Sequence, residues 1–194
     1  MPPLHEKLLA ERDALIAEIH AAFKHIKRGR GVSWLETDVL DDYGTEQECK
    51  AARAKDPEQH WPTLVNNPNW DHDKTYGGWA FLDPEGFRYY LPPAMVREAL
   101  NDDPYGASPF MFSLTFPKPA KDPKRDLREH TRKQWSMLDD RQRRCVKRFL
   151  EFKVACARAR HDAEAGELGY EQYGPFRSEW LTALNSYWAS IPDA

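Results

Sequence analysis

The chain has 194 residues, 41% hydrophobic and 30% charged, with seven tryptophans, eight tyrosines and nine phenylalanines, which is material for one domain spanning 1–194 and excludes global disorder. Its 28 basic residues are outnumbered by 31 acidic ones, and a net charge of −3 excludes the strongly cationic profile of a dedicated nucleic-acid coat.

The amino terminus is charged from His5 onward and shows neither a secretory signal nor a transit peptide, and no run approaches the roughly 20 apolar residues of a membrane span. Leu8, Leu15, Ile16, Ile19, Phe23 and Ile26 recur at helical spacing and predict an amphipathic helix over 4–27. Lys24, Lys27, Arg28 and Arg30 then read as the basic end of that helix. Ser33 and Thr45 each precede a glutamate by three residues, the capping-box pattern of two short helices, and Asp56-Pro57 suggests a third start.

WAFL and FRYYL flank Asp83-Pro84-Glu85-Gly86, which has the composition of a type I turn, so a hairpin is expected over 79–91. Alternation in FRYYL would send Arg88 and Tyr90 to the face opposite Phe87, Tyr89 and Leu91. Pro92 and Pro93 would stop the second strand and open a helix through Met95, Val96, Ala99 and Leu100. Phe110, Phe112, Leu114 and Phe116 alternate as a third strand would, and 117–124 reads as a surface connection. Leu127, Thr131, Trp135 and Leu138 share a helix side, a long helix with a basic back follows over 139–160, and a last helix over 175–190. The expected fold class is therefore α+β, mainly helical, with six or seven helices and a two- or three-stranded antiparallel sheet.

None of the short motifs that carry a mechanism by themselves is present. Cys49, Cys145 and Cys156 form an odd set with no CxxC pair, which fits reduced thiols in a cytoplasmic protein, with Cys145 and Cys156 as small core hydrophobes. Asp71-His72-Asp73, even with His60, reads as a solvated turn, so no metal and no cofactor is expected. Adjacent acids such as Asp41-Asp42 and Asp139-Asp140 read as caps, because neighbouring side chains diverge.

Charge is uneven along the chain. Residues 33–86 carry 12 acidic and 4 basic residues, a balance of −8, whereas 118–160 carry 15 basic and 6 acidic, a balance of +9. Three function classes follow. Glu36, Asp38, Asp41, Asp42, Glu46, Asp71 and Asp73 could meet a basic protein partner. Arg141, Arg144, Lys147 and Arg148 could meet phosphate or nucleic acid, the less favoured reading. Arg88 and Tyr90 could line the pocket of an enzyme of unrecognised type, the third.

Asp41-Asp42-Tyr43, the phrase FLDPEGFRYYLPPA over 81–94, and the helix pattern of Leu138, Gln142, Val146, Phe149 and Leu150 together resemble an uncharacterised bacterial domain family. The resemblance covers about residues 32–152 and departs at Pro93 and at 117–125. It implies one domain and no catalytic residue. Small bacterial proteins of this kind are often neutralising partners of toxins or other interaction modules, so the expectation is a non-enzymatic, immunity- or inhibitor-type binder of another protein.

Overall fold

A computed structural model describes residues 6–101, 107–168 and 174–193. Among them are nine α-helices: α1 (Glu6–Ala22), α2 (Glu36–Asp41), α3 (Glu46–Lys55), α4 (Pro62–Val65), α5 (Pro84–Leu100), α6 (Pro109–Ser113), α7 (Arg128–Gln134), α8 (Asp140–Leu168) and α9 (Glu179–Ser186). Short 3-10 turns occur at Gly78–Phe81, Pro123–Arg125 and Trp188–Ser190. No strand occurs among the described residues, so the α+β expectation is corrected to an all-helical fold.

The hairpin over 79–91 is replaced by the start of α5, and the reason is geometric. A type I turn and the first turn of a helix both begin in the right-handed α region. Asp83 accepts a hydrogen bond from the Gly86 amide at 2.8 Å, and Pro84 occupies the first turn, so the phrase opens a helix instead of reversing the chain. Pro92 and Pro93 lie inside that helix and are among the 12 of its 17 residues that are buried. An interior proline costs a helix about 3 kcal/mol or more, so burial in the middle of the molecule outweighs local preference here. α5 touches α1, α4, α7 and α8 and is covered on every side.

The third strand is corrected as well. Ser108 accepts from the Met111 amide at 3.2 Å and caps α6, which buries Phe110 and Met111 and leaves Phe112 58% exposed. The third helix start at Asp56 is also displaced: Asp56 ends α3, and helix resumes at Pro62.

Other elements follow the pattern that predicts them. Leu8, Leu15, Ile19 and Phe23 are buried, although α1 ends at Ala22, before the expected 27, and residues 4 and 5 lie outside the described residues. Thr45 and Glu48 form the capping box of α3. Asp139 caps α8 by accepting from the Gln142 amide at 2.8 Å, and Gln142 Oε1 accepts from the Asp139 amide at 3.3 Å. Cys145, Val146, Phe149, Leu150, Phe152, Cys156 and Ala157 line the buried side of α8, which runs past Gly166 to Leu168. The last helix is shorter than the expected 175–190, at Glu179–Ser186.

All seven tryptophans are buried in one apolar cluster that joins α1, α5, α6, α8 and α9 to the loops between them. The connection after α1 crosses the first turn of α5 at backbone contact: a Cβ on Gly86 would lie 2.6 Å from the Val32 carbonyl oxygen. Asp83 Oδ1 joins the two segments, accepting from the Val32 amide at 2.9 Å and the Gly86 amide at 2.8 Å.

Candidate functional site

Two of the candidate residues are committed to the interior. Tyr90 is 1% exposed, and its hydroxyl accepts from Arg28 Nη1 at 3.0 Å and the Trp34 amide at 2.9 Å while donating to Asp56 Oδ2 at 3.1 Å. Those three bonds fill the capacity of a phenol, so no valence remains for a substrate. Arg88 donates to the Met137 carbonyl at 3.4 Å from a half-buried position. Arg28, which the sequence places at a helix end, is instead a buried hub that also donates to the Asp56 carbonyl at 2.8 Å.

The basic back of α8 is not an open row. Lys147 is buried and donates to the Ile191 carbonyl at 2.9 Å and to Asp193 at 2.8 Å. Arg148 pairs with Glu18 at 2.7 Å, leaving Arg141 exposed and Arg144 half-buried. Cys145 and Cys156 are buried as expected, and burial pushes the Cys145 thiol up to about 12, which keeps it from acting as a nucleophile.

The acidic candidates divide into two groups. Glu36 accepts from Arg53 at 2.9 Å and from the Ser33 amide at 2.6 Å, and Asp73 accepts from the Phe110 amide at 3.3 Å, so both brace the fold. Asp38 pairs with Lys74 at 2.6 Å and Asp41 accepts from the Gly77 amide at 2.8 Å, contacts that hold the 74–77 loop against α2. Asp42, Glu46 and Asp71 are exposed, Glu46 in a surface pair with Lys50.

Two tyrosines flank this edge. Tyr43 lies just beyond α2 with φ +55° and is 97% exposed, while Tyr76 directly precedes Gly77 and is 79% exposed. The Gly44 amide donates to the Val39 carbonyl at 2.8 Å, closing the helix end around Tyr43 in the position where glycine or asparagine is favoured. The chain thus sets an aromatic ring in solvent at a place that disfavours any side chain of that size.

On the other side of the 74–77 loop lies a groove of about 450 Å³, walled by that loop, by α6 and by α7. Trp79 and Ala80 lie in it, and Phe112 and Leu127 stand on its lips at 58% and 60% exposure. Gln134 closes it by donating to the Trp79 and Leu82 carbonyls at 2.7 and 3.0 Å.

The ligand atoms of His72, Asp73 and Glu98 lie within 4.8 Å of one another, a convergence that a solvated turn at 71–73 does not anticipate; Asp71 and His60 are not part of it. Glu98 accepts from His72 at 3.0 Å and lies 3.4 Å from the Lys153 ammonium, and both Glu98 and Lys153 are buried. The lysine already supplies positive charge to the carboxylate, so the arrangement closes as an ion-pair network.

The sequence profile of a family of unknown function, DUF6714, matches residues 11–191. The chain belongs to that family. The match spans all the segments that carried the resemblance, and it bears out an uncharacterised domain. No curated protein and no solved structure matches the chain. In this DUF6714 member the surface residues that sequence reasoning missed include Tyr43, Tyr76, Phe112 and Leu127. Periodicity placed Phe112 and Leu127 with core residues, and only the assembled fold exposes them. Among the described residues no helix is long and apolar enough to cross a membrane.

Proposed function

We propose that this DUF6714 chain is a non-enzymatic protein-binding module of the immunity or inhibitor type, acting in the cytoplasm and meeting a basic partner through the acidic edge of α2. The observation that carries this reading is Tyr43, held at φ +55° and 97% exposed beside Asp41 and Asp42. A left-handed tyrosine costs about 1–2 kcal/mol, and burial of its ring against a partner would offset that cost. Tyrosine is also enriched among the few residues that dominate binding energy, and flanking carboxylates select a cationic partner. The phosphate reading is weaker, since Lys147 is buried against residues 191–193 and Arg148, though exposed, is paired with Glu18.

The test is capture from native-host lysate with wild type, with Asp42→Lys/Tyr43→Ala, and with Arg144→Glu. A one-to-one complex that survives Arg144→Glu and weakens at least about tenfold in the double variant is the expected result. A complex indifferent to the double variant, or nucleic acid recovered through Arg144, overturns the reading.

A further inference from the structure

The groove between the 74–77 loop, α6 and α7 is lined mostly by apolar and uncharged residues, with Lys74 paired to Asp38, and is flanked by segments of opposite charge. Behind the loop wall, residues 36–48 carry six carboxylates and no lysine or arginine, whereas residues 117–134, which include the α7 wall, carry seven basic residues and three acidic ones. The carboxylates behind the loop draw their internal partners from Lys50, Arg53 and Lys74, all on their own side of the groove. On the other side, Asp122 and Asp126 are engaged by Arg125 and Arg128, and Lys118, Lys121, Lys124 and Lys133 are exposed. Between these charged borders lie the exposed apolar lips, Phe112 and Leu127.

We infer that the groove is a self-association surface whose occupant is a second copy of this chain, related by a two-fold axis that runs along the groove. A two-fold rotation carries the acidic border of each copy over the basic border of the other, so one dipolar surface is complementary to itself and each charge match occurs twice. The same rotation brings Phe112 of each copy to the apolar groove of the other, beside Trp79 and Leu127. An unrelated partner would have to present an apolar anchor between a basic and an acidic patch in the correct order; this chain already carries that surface. The inference goes beyond the binding role of Tyr43, which needs no dimer; the two share Asp42 on the acidic edge of α2, and Phe112 and Leu127, which that role does not use, separate them.

Sedimentation equilibrium of the full chain at low salt tests it. Wild type should form a dimer that loosens as salt rises, while Phe112→Asp and Leu127→Asp, both at exposed positions, should raise the dissociation constant at least about tenfold. Lys124→Glu/Lys133→Glu should be monomeric, as should Asp42→Lys/Glu46→Lys. A mixture of these two charge-reversed chains should recover a mixed dimer tighter than either forms alone. A wild-type chain that stays monomeric up to about 1 mM overturns the inference, a concentration that corresponds to roughly 4 kcal/mol of binding. So does a dimer indifferent to Phe112→Asp, or a folded pair of charge-reversed chains that fails to associate.

Discussion

The Tyr90 hydroxyl lies 3.1 Å from Asp56 Oδ2 and binds it as donor, while accepting from Arg28 and the Trp34 amide. One phenol therefore ties α5 to the end of α3 and to the connection that follows α1. Tyr90→Phe should lower unfolding free energy by about 1–3 kcal/mol in urea titration, because it withdraws a hydrogen-bond partner from groups that remain buried. Burial, and next the charge of Asp56, push the Tyr90 phenol upward, and burial pushes Tyr89 up to about 12. Raised folded values mean that the phenols' contribution to stability is fully present below the unfolded phenol's value of about 10 and is lost as pH climbs from there through the raised folded values. Stability should thus fall above about pH 10, and Tyr90→Phe should show a shallower alkaline slope.

Glu98 is the buried contributor on the acid side. Burial would raise its carboxyl, but the hydrogen bond from His72 and the charge of Lys153 together outweigh burial and hold it below the ordinary range. A depressed carboxyl stabilises the fold above its unfolded value of about 4.3 and loses that contribution as pH falls through the folded value. Glu98→Gln should flatten the acid limb of a stability profile. It should also cost about 3–5 kcal/mol at neutral pH, since it removes a buried counter-charge 3.4 Å from the Lys153 ammonium. Thermal unfolding across pH 3–7, the range set by that carboxylate's titration, checks both expectations.

How much of this was legible depended on which side of an element faces water. α1 and α8 each have a solvated side, so their apolar spacing is visible, and the Asp139 cap fixed where α8 begins. α5 is buried all round, which erases the stripe that marks a helix, and its two interior prolines argue locally for a break. Tertiary burial decided that element, and no window of the sequence contains it. The acidic candidates were legible by composition, whereas the left-handed backbone of Tyr43 and the outward turn of Phe112 depend on how α2 and α6 end. Arg28 resembled helix-terminal charge because its partners, Tyr90 and Asp56, lie far away in sequence.

The contact between the connection after α1 and the start of α5 leaves no space for a methyl group. At Gly86 an added Cβ would meet the Val32 carbonyl oxygen at 2.6 Å, and backbone cannot swing aside as a side chain does. Gly86→Ala should destabilise by about 1–3 kcal/mol and weaken the shared Asp83 bonds, seen as faster amide exchange at Val32. Gly166→Ala in α8 is the control: nothing lies within 4 Å of its added Cβ, and helix propensity alone should gain up to about 1 kcal/mol.

Tyr43 offers the sharpest separation of stability from binding. Its ring makes the left-handed backbone unfavourable and, at 97% exposure, gains little packing in the free chain. Tyr43→Gly should therefore raise unfolding free energy by about 1 kcal/mol, read from the denaturant midpoint at unchanged slope. The same substitution should weaken capture of the basic partner at least about tenfold, whereas Tyr43→Phe, which keeps the ring, should leave capture within a few-fold. If Tyr43→Gly stabilises the chain and leaves capture intact, the ring is tolerated for some reason other than binding, and the α2 edge loses its claim to be the docking surface.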